Sequence, residues 1–236
     1  MTSKSTVYLI PSFLSENSIE TIPVYIVDAI KNCQVIFTEN ERTARRFLKI
    51  IFKEIIIDNY EWFSIHKIEA EQLAVFKQKI IEEKSIAIIS EAGCPGIADP
   101  GQILVHAAQR MNITVKPLVG PNSILLALMG SGMNGQQFQF NGYLPIDAHP
   151  RALRLKQLEE ESAVKKCTQI FIETPYRNNQ LLETILKTCK PSTQLCIAAE
   201  LTSKNEFIKT KSITEWKKES IDLHKKPVIF CLNRDL

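Results

Sequence analysis

Short β-branched runs alternate with amphipathic stretches through the first half of the chain, and this alternation limits the possible folds more than any other feature. Residues 7–10, VYLI, read as a buried strand that ends at Pro11. A polar loop over 11–21 follows, and Pro23 then stands where a helix's first turn tolerates proline, opening an amphipathic stretch to residue 32. Residues 33–38, CQVIFT, predict a second strand, with a helix after it to residue 51. The run 55–57, III, predicts a third strand, and 59–66 reads as irregular although it holds Trp62 and Phe63. A helix over 69–83 leads to a strand at 86–89, a helix at 102–110 and a strand at 115–118. Such an order folds as a mostly parallel, doubly wound α/β sheet.

Residues 90–101, SEAGCPGIADPG, stand between that fourth strand and its helix. In open α/β sheets ligands bind just beyond the carboxyl ends of strands. All eight glycines of the chain fall between Gly93 and Gly142, so special backbone geometry is concentrated there. Taken alone, the segment needs no ligand to explain it, because any strand-to-helix turn uses glycine and proline. A second break follows at 119–123, VGPNS, where Asn122 or Ser123 caps a helix over 124–129. Backbone N–H groups at such a start suit a carboxylate or a phosphate. The break divides the chain into domains 1–118 and 119–236.

The second half continues with a strand at 138–141, a helix at 150–161 and a strand at 167–172 that ends in Glu173-Thr174-Pro175-Tyr176-Arg177. A helix at 177–187, a strand at 194–199 ending in Glu200-Leu201-Thr202, an edge strand at 206–210, a short helix at 212–220 and a closing strand at 228–232 complete it. Strand ends thus carry Pro11, Glu39, Glu91, Glu173 and Glu200. Any one of these satisfies the ordinary need for polarity at a strand end; as a set around one crevice they are a candidate site.

Composition narrows the class. No apolar run nears the ~20 residues that span a bilayer, and the N-terminus lacks a secretory signal. The six cysteines form no CxxC pair and read as reduced thiols of a cytoplasmic protein. His66, His106, His149 and His224 are isolated, so no metal centre is expected. Residues 1–118 hold 13 basic and 14 acidic side chains, against 16 and 12 in residues 119–236. The mildly basic second half is compatible with a phosphate-bearing substrate. Arg42, Arg45, Arg46 and Lys49 recur at helical spacing; Arg46 and Lys49 read as a solvated face.

The ordered segments SEAGCPGIADPG, VGPNSILLAL, FQFNGYLP, FIETPYR and AAELTSKNEF resemble those of the tetrapyrrole methylase superfamily. Within it they are most similar to the small-subunit ribosomal RNA 2′-O-ribose cytidine methyltransferase branch, whose corresponding patterns are DAGTPxISDPG, PGPxAxxxAL, FxGFLP, YESPHR and ARELTKxxE. ENERT at 39–43 is similar to the branch's AEDTRxT. The chain departs from the branch in its first loop, PSFLSENSIET, which has no glycine where the branch has TPIGNLxDIT. Glu91 and Cys94 replace Asp and Thr, KKPVIF replaces a KGEMVL-like segment, and no extension follows the last strand. The resemblance is to a divergent member.

The resemblance implies two α/β domains of the tetrapyrrole methylase fold with a cleft between them, a homodimer, and S-adenosylmethionine as methyl donor. Carried over residue by residue, Pro11, Glu91, Ala92, Gly93, Cys94, Ile97, Ala98, Asn122 and Ser123 would contact the donor, with Leu144, Glu173, Leu201, Thr202, Pro227 and Val228 from the second domain. A ribose hydroxyl acceptor needs help with its proton, and Glu91, Glu39 and Arg42 at adjacent strand ends are the candidates: either carboxylate for the proton, Arg42 to orient the substrate. Arg42, Arg45, Arg151, Arg154, Lys225 and Lys226 favour ribosomal RNA as the substrate. The alternatives are a tetrapyrrole or other small-molecule acceptor, and a paralogue that binds the donor without turnover.

Overall fold

The computed structural model describes residues 5–16, 18–65 and 70–234. It forms two compact units, Met1–Asn122 and Ser123–Leu236. The sequence predicts a boundary after residue 118, but residues 119–122 belong to the first unit, where this segment's polar groups are committed. Leu118 N–H donates to the Leu9 carbonyl and Val119 N–H to the Tyr25 hydroxyl.

The first unit contains β1 (Thr6–Ile10), α1 (Ile26–Lys31), β2 (Val35–Thr38), α2 (Glu41–Ile51), β3 (Glu61–Ser64), α3 (Ala70–Ile81), β4 (Ile86–Ile89), α4 (Gln102–Arg110) and β5 (Thr114–Pro117). The sheet order is β3-β2-β4-β1-β5, and every pairing is parallel. Period-two alternation splits each strand between two cores. Tyr8, Ile10, Ile36, Ala87 and Ile89 pack with Ile26 and Ile30 of α1 and Phe47 and Leu48 of α2. Val7, Leu9, Val35, Phe37, Ile86 and Ile88 face Phe76 and Ile80 of α3 and Leu104 and Ala108 of α4. Helices on both faces make the sheet doubly wound. The start expected for α3 at Glu69 lies outside the described residues, as does His66.

The third strand is not the isoleucine run. Ile55 is buried among Ile30, Phe47 and Leu48, Ile56 is 62% exposed, and Ile57 begins a single 3-10 turn. The strand is the aromatic stretch after it, paired Val35↔Glu61 through Thr38↔Ser64. An edge strand is held by side chains on its faces. Phe63 stacks on Phe37 with ring centroids 5.0 Å apart, and the Arg45 guanidinium lies 4.9 Å over the Trp62 ring. Trp62 also donates its indole N–H to the Ile57 carbonyl at 3.1 Å.

The second unit contains α5 (Ser123–Ser131), β6 (Phe138–Tyr143), α6 (Ala148–Lys165), β7 (Thr168–Ile172), α7 (Asn178–Thr188), β8 (Gln194–Ala199), β9 (Phe207–Ser212), α8 (Ile213–Trp216) and β10 (Val228–Asn233). Its sheet order is β6-β7-β10-β8-β9. β6 and β7 are parallel, and β10 runs antiparallel to both β7 and β8. β7 and β8 therefore point the same way, so the carboxyl ends of β6, β7 and β8 and the amino end of β10 meet at one end of the sheet. Leu155, Leu158, Leu181, Ile185 and Trp216 cover one face against Phe171, Ile197 and Phe230. On β9, Ile208 lies so close to Gly130 of α5 that a Cβ there would stand 2.8 Å from its Cδ1. Among the described residues no helix is long and apolar enough to cross a membrane, and all six cysteines are free thiols.

Candidate functional site

In the first unit β1 and β2 send their helices to one face of the sheet and β4 sends its helix to the other. The crevice beyond the carboxyl end of β4, flanked by β2 and β1, is thus where a doubly wound sheet offers a site. The loop 90–101 fills its floor and is tied down residue by residue. Ser12 and Gly93 exchange backbone hydrogen bonds of 2.9 and 3.2 Å, forming an isolated antiparallel bridge. Ser12 Oγ donates to the Ser90 carbonyl, and Ser90 Oγ to the Gly93 carbonyl. Gly93 has φ +76°, in the left-handed region that glycine enters without penalty.

Asp99 shapes the far side of this loop. Its Oδ1 accepts from the N–H groups of Gly96 at 2.9 Å and Gly101 at 2.8 Å. Burial pushes its carboxyl pKa up, against the downward pull of those two donors. A raised native pKa means that ionisation opposes folding, so Asp99's contribution to stability is present in acid and lost as pH rises through its native pKa. We expect carbon-13 NMR to place the Asp99 midpoint above the ordinary ~3.9 of an aspartate. A midpoint at or below that value would show its hydrogen bonds outweighing burial.

The loop after β5 closes the other side. Cys94 Sγ lies 3.4 Å from the Pro121 carbonyl, and its thiol also hydrogen-bonds Asn122. Burial raises the Cys94 pKa, which disfavours its thiolate. Gly120 faces Pro11 so closely that a Cβ would lie 2.1 Å from the proline Cβ. Pro11, Gly93, Cys94 and Asn122 thus belong to one interlocked junction of three strand ends. Ile97 and Ala98 stand on the same loop, both exposed, and Ala98 holds φ +59°.

The three residues proposed for chemistry come to the same edge. Glu39 follows β2, and its Oε1 accepts from the Glu91 N–H at 3.1 Å. Glu91 itself is exposed, beside Ala92. Asn40 caps α2 by accepting from the N–H groups of Arg42 and Thr43, which fixes the helix start. Arg42 is exposed on that first turn, and its guanidinium makes no ion pair among the described residues.

Four of the other basic residues expected to favour RNA have side-chain partners within the fold. Arg151 is buried, donating to Thr184 Oγ1 and the Ile146 carbonyl, so its role is to fix α6. Arg45 pairs with Glu41, Arg154 with Glu161, and Lys226 with Glu200.

In the second unit Leu144, Glu173, Leu201, Thr202, Pro227 and Val228 gather at the shared end of β6, β7, β8 and β10. Glu200 N–H donates to the Pro227 carbonyl, and Asn178 Nδ2 to the Lys226 carbonyl. Glu173 has no exposed side-chain surface. Its Oε1 accepts from Thr174 N–H at 2.7 Å and from Arg177 at 3.0 and 2.6 Å, while Oε2 is buried with no donor. Glu200, Thr202 and Lys225 have φ of 52°, 66° and 59°, conformations that side chains adopt at a cost of ~1–3 kcal/mol each. Glu83, Asn112 and Lys166 also have positive φ but follow α3, α4 and α6, where helix ends account for them. Ser123 is the first residue of α5. Sequence reading missed Ser12, Tyr25 and Gly120; the Gly-Pro pair was visible only as a break.

The family described as Tetrapyrrole (Corrin/Porphyrin) Methylases matches residues 18–216. The chain belongs to the tetrapyrrole methylase family. This methylase is 32% identical over 230 residues to the ribosomal RNA small subunit methyltransferase I of Buchnera aphidicola subsp. Schizaphis graminum, covering 95% of the chain and 76% of that protein. It is 34% identical over 154 residues to the ribosomal RNA small subunit methyltransferase I of Vibrio cholerae, covering 65% of the chain and 52% of that protein. The methylase thus spans about half the length of the Vibrio relative. The crystal structure of the methyltransferase CobJ superposes with a TM-score of 0.64 over 98% of this chain and 94% of that one, at 14% identity, which shows a shared fold.

Proposed function

We propose that this methylase transfers a methyl group from S-adenosylmethionine to a ribose 2′-hydroxyl of small-subunit ribosomal RNA. The observation that carries the donor reading is Glu173 Oε2, a buried carboxylate oxygen without a donor. S-adenosylmethionine presents an ammonium, two ribose hydroxyls and an exocyclic amine, all donors, so the group fits what the site lacks. Leu144, Leu201, Thr202, Pro227 and Val228 supply apolar and backbone contacts around Glu173. Pro11, Ala92, Gly93, Cys94, Ile97, Ala98, Asn122 and Ser123 are the further donor contacts. The RNA acceptor follows the named activity of the relatives.

Bound S-adenosylmethionine supplies a methyl group already activated on a sulfonium. The protein's part is positioning and proton handling. Glu91, exposed at the crevice, takes the proton of the attacking hydroxyl. Glu39 holds the Glu91 backbone and can share that proton, and Arg42, which has no ion-pair partner among the described residues, orients a phosphodiester beside it. The reading includes a homodimer, carried from the resemblance, and a cytoplasmic location, carried from the six cysteines read as reduced thiols.

Calorimetric titration with S-adenosylmethionine, followed by transfer of labelled methyl to small-subunit ribosomal RNA, tests the reading. Glu91→Gln should lower kcat by roughly 10²-fold or more with donor affinity intact. Arg42→Ala should raise KM for RNA. Unchanged turnover in both variants removes them from the mechanism, and no label in RNA from wild type removes the substrate.

A further inference from the structure

In the first unit an open cleft of about 230 Å³ lies between the loop after β1 and helix α2. Phe13 and Leu14 form one wall; Thr43, Arg46, Phe47 and Ile50, one helical stripe, form the other, and Glu91 and Ala92 close the floor. Resting on the RNA reading above, we propose that this cleft receives one unstacked base of the RNA substrate and sets which RNA is methylated.

Size decides first. Sites that enclose a drug-sized ligand measure about 300–1,000 Å³, so this cleft takes a ring and not the whole donor. Charge decides next. The lining carries two carboxylates, Glu16 and Glu91, against one guanidinium, Arg46, a balance that disfavours a phosphate but not a neutral heteroaromatic ring. The walls suit the same ring. Phe13 and Phe47 meet edge-on with centroids 5.0 Å apart, so the two walls converge on an apolar inner end of the cleft. Arg46 lies at the rim, paired with Glu16 at 3.1 Å, and both side chains are mostly exposed. Such a pair is weak, so the guanidinium is available to lie over a base, as arginine planes do on single-stranded RNA. Sequence reading set Arg46 on a merely solvated face; the fold gives it this second surface.

An adenine ring of the donor has the same chemistry. Of the residues assigned to the donor, however, only Glu91 and Ala92 line the cleft. The rest of the lining comes from the glycine-free first loop, where the chain departs from the pattern it resembles, and from α2.

The test is to plug the cleft from either wall with Ser15→Trp or Thr43→Trp. Three quantities are compared with wild type: KM for small-subunit ribosomal RNA, kcat, and the S-adenosylmethionine Kd by calorimetry. The expected result is a KM raised by about tenfold or more in both variants, with kcat and donor Kd within about threefold, the size of one base's stacking. An unchanged KM in either well-folded variant overturns the base pocket and leaves RNA methylation standing. A donor Kd weakened in parallel assigns the cleft to the donor's adenine instead. Absence of methyl transfer to RNA by wild type overturns this proposal together with the function it rests on. If thermal melting shows Thr43→Trp to be misfolded, Ser15→Trp, on the loop, decides.

Discussion

Gly120→Ala is expected to lower the melting temperature by several degrees and weaken S-adenosylmethionine binding by at least about tenfold. A Cβ at this position would stand 2.1 Å from Pro11 Cβ and 2.4 Å from Pro11 Cγ. A flexible side chain would swing aside, but a proline ring is fixed to its own backbone, so one of two strand ends must move. Overpacking of this kind costs about 1–3 kcal/mol. For a chain of this size each kcal/mol shifts melting by roughly 2–4 °C. The loss in binding has a separate origin, because the segment that moves also carries Asn122 and the carbonyl beside Cys94. Gly135→Ala is the control. Nothing lies within 4 Å of a Cβ there, and neither quantity should change appreciably. Equal behaviour of the two variants would mean that the Pro11–Gly120 junction yields without resistance.

Arg177→Met should be the most destabilising single change at the second unit's strand ends. It leaves the Glu173 carboxylate, with no exposed surface, on a single backbone donor. Breaking a fully buried ion pair costs about 3–5 kcal/mol, and the 28% exposure of Arg177 puts this pair nearer the lower figure. The cost comes mostly from the stranded charge. Glu173→Gln with Arg177→Met should therefore recover part of it, since an amide needs less solvation than a carboxylate. Urea unfolding of the two singles and the double gives the coupling directly. If the double mutant is as unstable as the sum of its parts, Glu173 and Arg177 do not act as a pair. Glu173→Gln alone should keep most of the stability, because Arg177 still finds an acceptor, and lose donor affinity.

Elements with a complete local signal were legible from sequence. β4, α4 and β8 fall at the residues expected, each bounded by turn-forming residues and uniform in its period. The isoleucine run at 55–57 misled because β-propensity describes a half-buried pleated surface, and here one isoleucine fills a helix-lined core while its neighbour meets solvent. The aromatic strand after it is decided by Phe37, far along the chain. The mixed second sheet was equally hidden, since chain order does not say where a closing strand inserts.

The candidate residues were legible as strand ends, because ligand sites and strand ends share the same need for polar, irregular backbone. What joins those ends was not. The Ser12–Gly93 bridge, the Glu39 carboxylate on the Glu91 amide and the Pro11–Gly120 contact each link segments far apart in sequence, and no local pattern encodes them. Arg151 failed as an RNA contact for the converse reason. Its charge was visible, but the Ile146 carbonyl and Thr184 hydroxyl that claim it were not.

β10 lies between β7 and β8 in the second sheet. While the chain emerges from the ribosome, β6–β7 and the β8–β9 hairpin can each form, yet both present an unpaired inner edge until residues 228–233 arrive. The first unit, complete by Asn122, has its whole sheet available before that. The second unit is therefore expected to finish later in biosynthesis and to expose its edges longer. A nascent chain stalled ahead of Val228 would hold a finished first unit joined to two half-sheets, each a ready target for chaperones or for a neighbouring chain.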